Sequence, residues 1–185
     1  MKKLTILLLL LPFFGFAQNL TISELISLRT KTPGQVESFL TDRSWELISS
    51  KKDEEGSVEI VYTYGRSATE NKANGFFQFS YGLDGSKVID WNKNVICYQI
   101  HALSIFKKLN LELRKLGYKE VNYVVGEGRV TRYYKSVSGK TYIEVSSIVE
   151  ESGDSFMSQS TIYTFTIWPP EYYRLLSDIK QKDDQ

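Results

Sequence analysis

The sequence contains one cysteine and one histidine in 185 residues. A lone cysteine excludes an intramolecular disulfide. Cys97 and His101 together supply two ligands where a structural zinc site takes about four, so no metal site and no cofactor is expected. Any Ser-His-Asp triad would have to use His101, and no Gly-x-Ser-x-Gly turn is present to hold its nucleophile. Charge of one sign is also missing. Lys and Arg number 23 against 22 Asp and Glu, a net of +1. With no basic surplus gathered in one region, the sequence reads as having no nucleic-acid partner. Beyond the first residues no apolar run is long enough to span a bilayer.

What is present begins with an export signal. Lys2 and Lys3 precede the apolar run Leu4 to Leu11, and Gly15-Phe16-Ala17 places small residues where a signal peptidase reads. Cleavage is expected between Ala17 and Gln18. It leaves 168 residues with 21 basic against 22 acidic side chains, a periplasmic or secreted chain without a transmembrane segment. Aromatic residues make up 14% of the whole, which fits a packed core rather than a disordered chain.

Two short helices are expected first. Thr21-Ile22-Ser23-Glu24 and Thr32-Pro33-Gly34-Gln35 both have the capping-box form, the second with proline at the first helical position. Strands follow over 45–50, 58–64, 75–81 and 87–101, the last bent or broken into a pair. A longer helix over 102–116 carries the stripe Ala102, Phe106, Leu109, Leu113 and Leu116 and stops at Gly117. Four more strands are expected over 118–125, 129–135, 140–149 and 158–167, then a helical turn over 172–180. This pattern predicts an α+β fold, with helices packed on one face of antiparallel sheet. Val36, Leu40 and Trp45 match Leu109, Leu113 and Tyr118 at a constant offset of 73. The division expected is therefore a signal over 1–17, a first α-β unit over 18–99 and a second over 100–185.

Thr32 to Ile48 and Ile100 to Val125 resemble parts of uncharacterised exported bacterial proteins. Helix followed by antiparallel meander, twice over, resembles the β-lactamase inhibitor protein and the related small domain of outer-membrane-assembly lipoproteins. The resemblance lies in layout and carries no specific motif. The chain departs from the inhibitor in lacking disulfides and in having one long helix in its second half. What the resemblance implies is a binding protein with an exposed sheet face and no catalysis, its target left open.

The motifs that suggest chemistry have bland alternatives. Ser138-Gly139-Lys140-Thr141 ends like a phosphate loop, but Tyr134 stands where that loop needs glycine, and the segment joins two strands. Ser104-x-x-Lys107 has the spacing of serine acyl enzymes; Ser177-x-x-Lys180 shows how readily that spacing recurs. Asp53-Glu54-Glu55 and Glu150-Glu151-Ser152-Gly153-Asp154 lack the alternating oxygens of a calcium loop and read as solvated turns. Cys97 reads as a small buried strand residue. Strand alternation instead points Phe76, Arg132, Tyr142, Ile162 and Trp168 away from the core. Interfaces favour aromatics and arginine, so these five are the expected contact surface, meeting another envelope or extracellular protein. No catalytic residue is assigned. The alternative is a small hydrolase of envelope or extracellular polymers, built on two carboxylates that need not be close in sequence.

Overall fold

The computed structural model describes residues 19–66, 73–82, 89–126, 128–151 and 159–171. The export-signal segment, the Asp84-Gly85 turn, most of the Glu150–Asp154 cluster and the expected terminal helical turn lie outside them. Local chemistry sets the helices. Helix α1 (Ile22–Arg29) opens on a closed capping box. The Glu24 amide donates to Thr21 Oγ1 at 3.1 Å, and the Thr21 amide donates to Glu24 Oε2 at 2.9 Å. Helix α2 (Pro33–Thr41) starts on proline, with the Thr32 amide donating to Gln35 Oε1 at 3.1 Å. Helix α3 (Leu103–Lys115) ends at Gly117, whose φ of 80° suits glycine. Leu40 O accepts from the Trp45 amide (3.1 Å), and Leu113 O from the Tyr118 amide (3.2 Å). Left-handed Ser44 (φ 61°) and Gly117 precede these two aromatics. The helix exit thus has the same geometry at both positions of the 73-residue offset.

Eight strands form: β1 (Glu46–Lys52), β2 (Val58–Tyr64), β3 (Gly75–Tyr81), β4 (Val95–Ile100), β5 (Lys119–Gly126), β6 (Arg129–Lys135), β7 (Tyr142–Glu151) and β8 (Gln159–Trp168). The strand expected over 87–101 is shorter than anticipated, and a 3₁₀ turn at Trp91–Lys93 precedes it. All eight join one antiparallel sheet in the order β1-β2-β3-β4-β8-β7-β6-β5. Residues 46–100 therefore form one four-strand meander and residues 119–168 another, joined where β4 pairs β8.

This sheet corrects the α+β expectation. The three described helices have 8, 9 and 13 residues, roughly 12–20 Å long at 1.5 Å per residue. An eight-stranded sheet is roughly 34 Å across at about 4.8 Å per strand. The helices are too short and too few to build a second layer over it. Nor does the expected stripe of α3 sink whole. Leu109 and Leu113 are buried, Phe106 is half-buried, and Ala102 and Leu116 are exposed. The molecule is one continuous sheet with helical segments tucked against its middle, and its core is a single cluster drawn from both halves.

One row of that core runs Tyr62, Phe77, Tyr98, Phe165 and Val145, each paired with the next across adjacent strands. All five are at most 3% exposed, and burying each large apolar side chain contributes about 1.5–3 kcal/mol. Trp45 closes the cluster against Tyr64, with ring centroids 4.6 Å apart, and Phe106 of α3 stacks on Tyr163 at 4.1 Å. A long-range cap ties the helices together. Glu112 of α3 accepts from the Ile22 and Ser23 amides at the start of α1, both at 3.1 Å. Asn94, fully buried, donates from Nδ2 to the Arg29 and Lys31 carbonyls and anchors the end of α1 to the entry of β4.

Candidate functional site

The period of two along each strand gives the sheet a helix side, where the core lies, and a second side. Register assigns the second side directly. One row runs Val61, Gln78, Cys97, Thr166, Glu144, Tyr133 and Asn122; the next runs Phe76, Gln99, Thr164, Ser146, Thr131 and Val124. Hydroxyl and amide side chains dominate both rows. Lys135, Tyr142 and Trp168 form a third row across β6, β7 and β8, and Lys135 Nζ lies 5.5 Å from the Tyr142 ring centroid.

Four of the five expected contact residues stand on this second side. Tyr142 and Trp168 are cross-strand neighbours. Ile162 pairs with Ile148, and Phe76 lies in the row of Gln99 and Thr164. Trp168 is six residues from Ile162 along β8, roughly 20 Å, so the four form two patches at opposite ends of the strand. Tyr142 is buried, and Phe76, Ile162 and Trp168 are half-buried. Arg132 is not with them. It pairs with Val145, a core residue, and so points to the helix side. It is exposed because α3 leaves this part of the sheet uncovered, not because it faces away from the core.

The titrating groups of the second side share a cause. Burial raises the Glu144 carboxyl above the usual carboxylate range; a hydrogen bond from Trp168 and the Arg129 charge oppose the rise. Burial pushes the Cys97 thiol up to about 11, opposed by a hydrogen bond to Thr166 and reinforced by Glu144 and Glu59. The thiol is therefore protonated at neutral pH and a poor nucleophile. Burial also raises the Tyr133 phenol, with Glu144 adding to it. His101 lies four residues from Cys97, beyond the end of β4, roughly 13 Å at strand spacing. The Ser136–Thr141 segment is a hairpin turn, closed by the Ser136 amide on Thr141 O at 3.1 Å. Ser104 and Lys107 are both exposed on α3. Among the described residues no group of three or more His, Cys, Asp or Glu side chains gathers to hold a metal. No described helix is long and apolar enough to cross a membrane.

A second surface was missed by the sequence reading. Residues 103–135 hold eight basic side chains against three acidic ones, a net of +5, while the whole chain carries +1. The remaining residues therefore carry −4. A windowed charge count finds this polarity; the near balance of the whole chain conceals it. Three of these basic residues, Lys107, Arg114 and Arg132, line a groove of about 410 Å³ between α3 and β6, together with Phe106, Asn110 and Tyr134 among others. Inside this region Glu120 Oε2 accepts from Arg132 Nη1 and from the Tyr134 hydroxyl, both at 3.2 Å. Strand β5 borders it, and all eight of its residues are exposed.

No protein-family model, curated protein or solved structure matches the chain. The functional reading therefore rests on the geometry.

Proposed function

We propose that the chain is an exported, non-enzymatic binding or inhibitor-like protein of the cell envelope, which offers the second side of its sheet to another envelope or extracellular protein. The observation that supports this reading is the composition of that side. Phe76, Ile162 and the Tyr142–Trp168 pair are set among threonine, serine and glutamine side chains. Aromatic anchors ringed by hydrogen-bonding groups are what protein interfaces favour, and strands hold such groups more rigidly than loops do.

The hydrolase reading has one feature in its favour, the raised carboxyl of Glu144, which a general acid needs. Its partner is the difficulty. Glu150 is six residues from Glu144 along β7, about 20 Å, and Glu46 and Glu59 lie on β1 and β2. The nearer strand is four spacings from β7, about 19 Å, whereas glycoside hydrolysis needs carboxylates about 5–10 Å apart.

The test is recovery of partners from envelope extract by the tagged mature chain, with Phe76→Ser, Ile162→Ser and Trp168→Ala compared at equal melting temperature. A specific partner is expected with the parent chain and lost in at least one of the two patches. Equal recovery by every variant removes this surface. Polymer hydrolysis that disappears in Glu144→Gln would replace the binding reading with the enzymatic one.

A further inference from the structure

We infer that the outer edge of β5 takes up an extended acidic segment of a partner protein as a ninth strand. This site is separate from the second side of the sheet and goes beyond the reading above. Three observations converge on it.

The first is the edge. β5 ends the strand order, and no described strand pairs with its outer side. Its outward N–H and C=O groups form a template for another chain, although the Tyr123 amide donates to Asn122 Oδ1 at 2.8 Å, a bond that an incoming strand would displace. The second is the lack of protection. Natural edges are guarded by charge or proline. From Val121 to Val125 β5 has five uncharged residues, four of them apolar and 45%, 65%, 41% and 68% exposed at Val121, Tyr123, Val124 and Val125. Its guards are at one end, Lys119 and Glu120 with a bulge between Glu120 and Asn122. The third is the field. Lys119 lies on β5 itself, Arg132 on the paired β6, and Lys107 and Arg114 across the groove from it; Arg132 together with the Tyr134 hydroxyl already grips one carboxylate, that of Glu120.

Each observation narrows the occupant. A sheet edge is complementary to peptide backbone, not to a sugar, a lipid headgroup or a nucleotide. The positive field draws an acidic segment and speeds its arrival. Tyr123 and Val125 share the helix side with Arg132, so apolar residues at alternate positions of the incoming strand have a surface to lie on. The added strand would sit two spacings from β6, about 10 Å, within the combined reach of a glutamate and an arginine side chain. A second copy fits worse, because pairing β5 with β5 brings two positive flanks together.

The experiment uses the folded mature chain and a labelled ten-residue peptide of alternating valine and glutamate, followed by fluorescence anisotropy. Three other probes are the lysine-for-glutamate peptide, the glutamate peptide N-methylated at alternate backbone positions, and dextran sulfate. The glutamate peptide should bind, with affinity falling as salt rises. Binding should drop at least tenfold for the lysine and N-methyl peptides and about tenfold in Arg132→Ala/Arg114→Ala. Bound peptide should slow amide exchange in residues 119–126 and leave residues 46–52 unchanged. Trp168→Ala should bind it normally, which separates this site from the second side. Equal binding of the N-methylated peptide or dextran sulfate would reduce the surface to a plain polyanion patch and overturn the proposal. So would exchange protection at β1, or a concentration-dependent dimer that protects β5 without peptide.

Discussion

The seam of the sheet and its β5 edge are built from similar residues and have opposite fates. At the seam, Ile96, Tyr98 and Ile100 of β4 face Ile167, Phe165 and Tyr163 of β8, and all six are at most 9% exposed. At the edge, Val121, Tyr123, Val124 and Val125 stand at least 41% exposed. β-branched and aromatic residues thus either hold this molecule together or face outward, according to the number of strands beside them. The other edge sharpens the point. β1 ends in Lys51 and Lys52 and begins at Glu46, so charge guards both of its ends, while β5 is uncharged over most of its length. Position in the sheet, more than residue type, separates the buried apolar residues from the exposed ones here.

The largest effect that would test this contrast is a core truncation. Phe165→Ala at the seam should lower unfolding free energy by about 3–5 kcal/mol, and Tyr123→Ala at the edge by about 0.5 kcal/mol or less, measured by urea denaturation. Comparable losses at both positions would mean that the edge is packed and the contrast is mistaken. Next comes Cys97, on the second side of the seam. With its thiol pushed up to about 11, maleimide labelling of the native chain at pH 8 should run roughly a hundredfold slower than in the urea-unfolded chain. Rapid native labelling would show the seam to be open.

A smaller effect is expected where α3 caps α1 across the two halves. Glu112→Ala removes the acceptor for the Ile22 and Ser23 amides and should cost about 1 kcal/mol, seen as a lower urea midpoint. The smallest concerns Glu144. Its folded carboxyl titrates above the unfolded one, so its contribution to stability is full below the ordinary carboxylate range and is lost as pH rises through the folded value. Glu144→Gln should therefore melt slightly higher than the parent at pH 7 and no higher at pH 3.5. A gain that persists at the lower pH would assign the effect to something other than ionisation.

Local features of the fold were legible because their causes are local. The Thr21 and Thr32 capping boxes, the stop at Gly117, and strands β2, β3 and β6 are written within a few residues of where they act. The sheet order was not legible, since β4 and β8 pair residues more than sixty positions apart. Without that pairing the apolar stripe of α3 invites a helical layer that the finished sheet does not have. Arg132 was placed on the wrong side for a related reason. β6 reads Val130-Thr131-Arg132-Tyr133-Tyr134, with an aromatic residue at both parities, and only its pairing with β7 shows that Tyr134 belongs to the core and carries Arg132 to the same side. Tyr142, Ile162 and Trp168 stand on the second side because their strands place Ile143, Val145, Phe165 and Ile167 in the core, although Tyr142 is itself buried.

The place of β8 has a consequence for how the chain acquires its structure. It lies between β4 and β7, so until it arrives each of those strands has a bare flank and the aromatic core lacks its middle plank. A chain without β8 would hold two separate half-sheets, β1–β4 and β5–β7, with no strand to join them. Truncation just before residue 159 should thus leave two unjoined half-sheets with bare flanks rather than a slightly smaller protein.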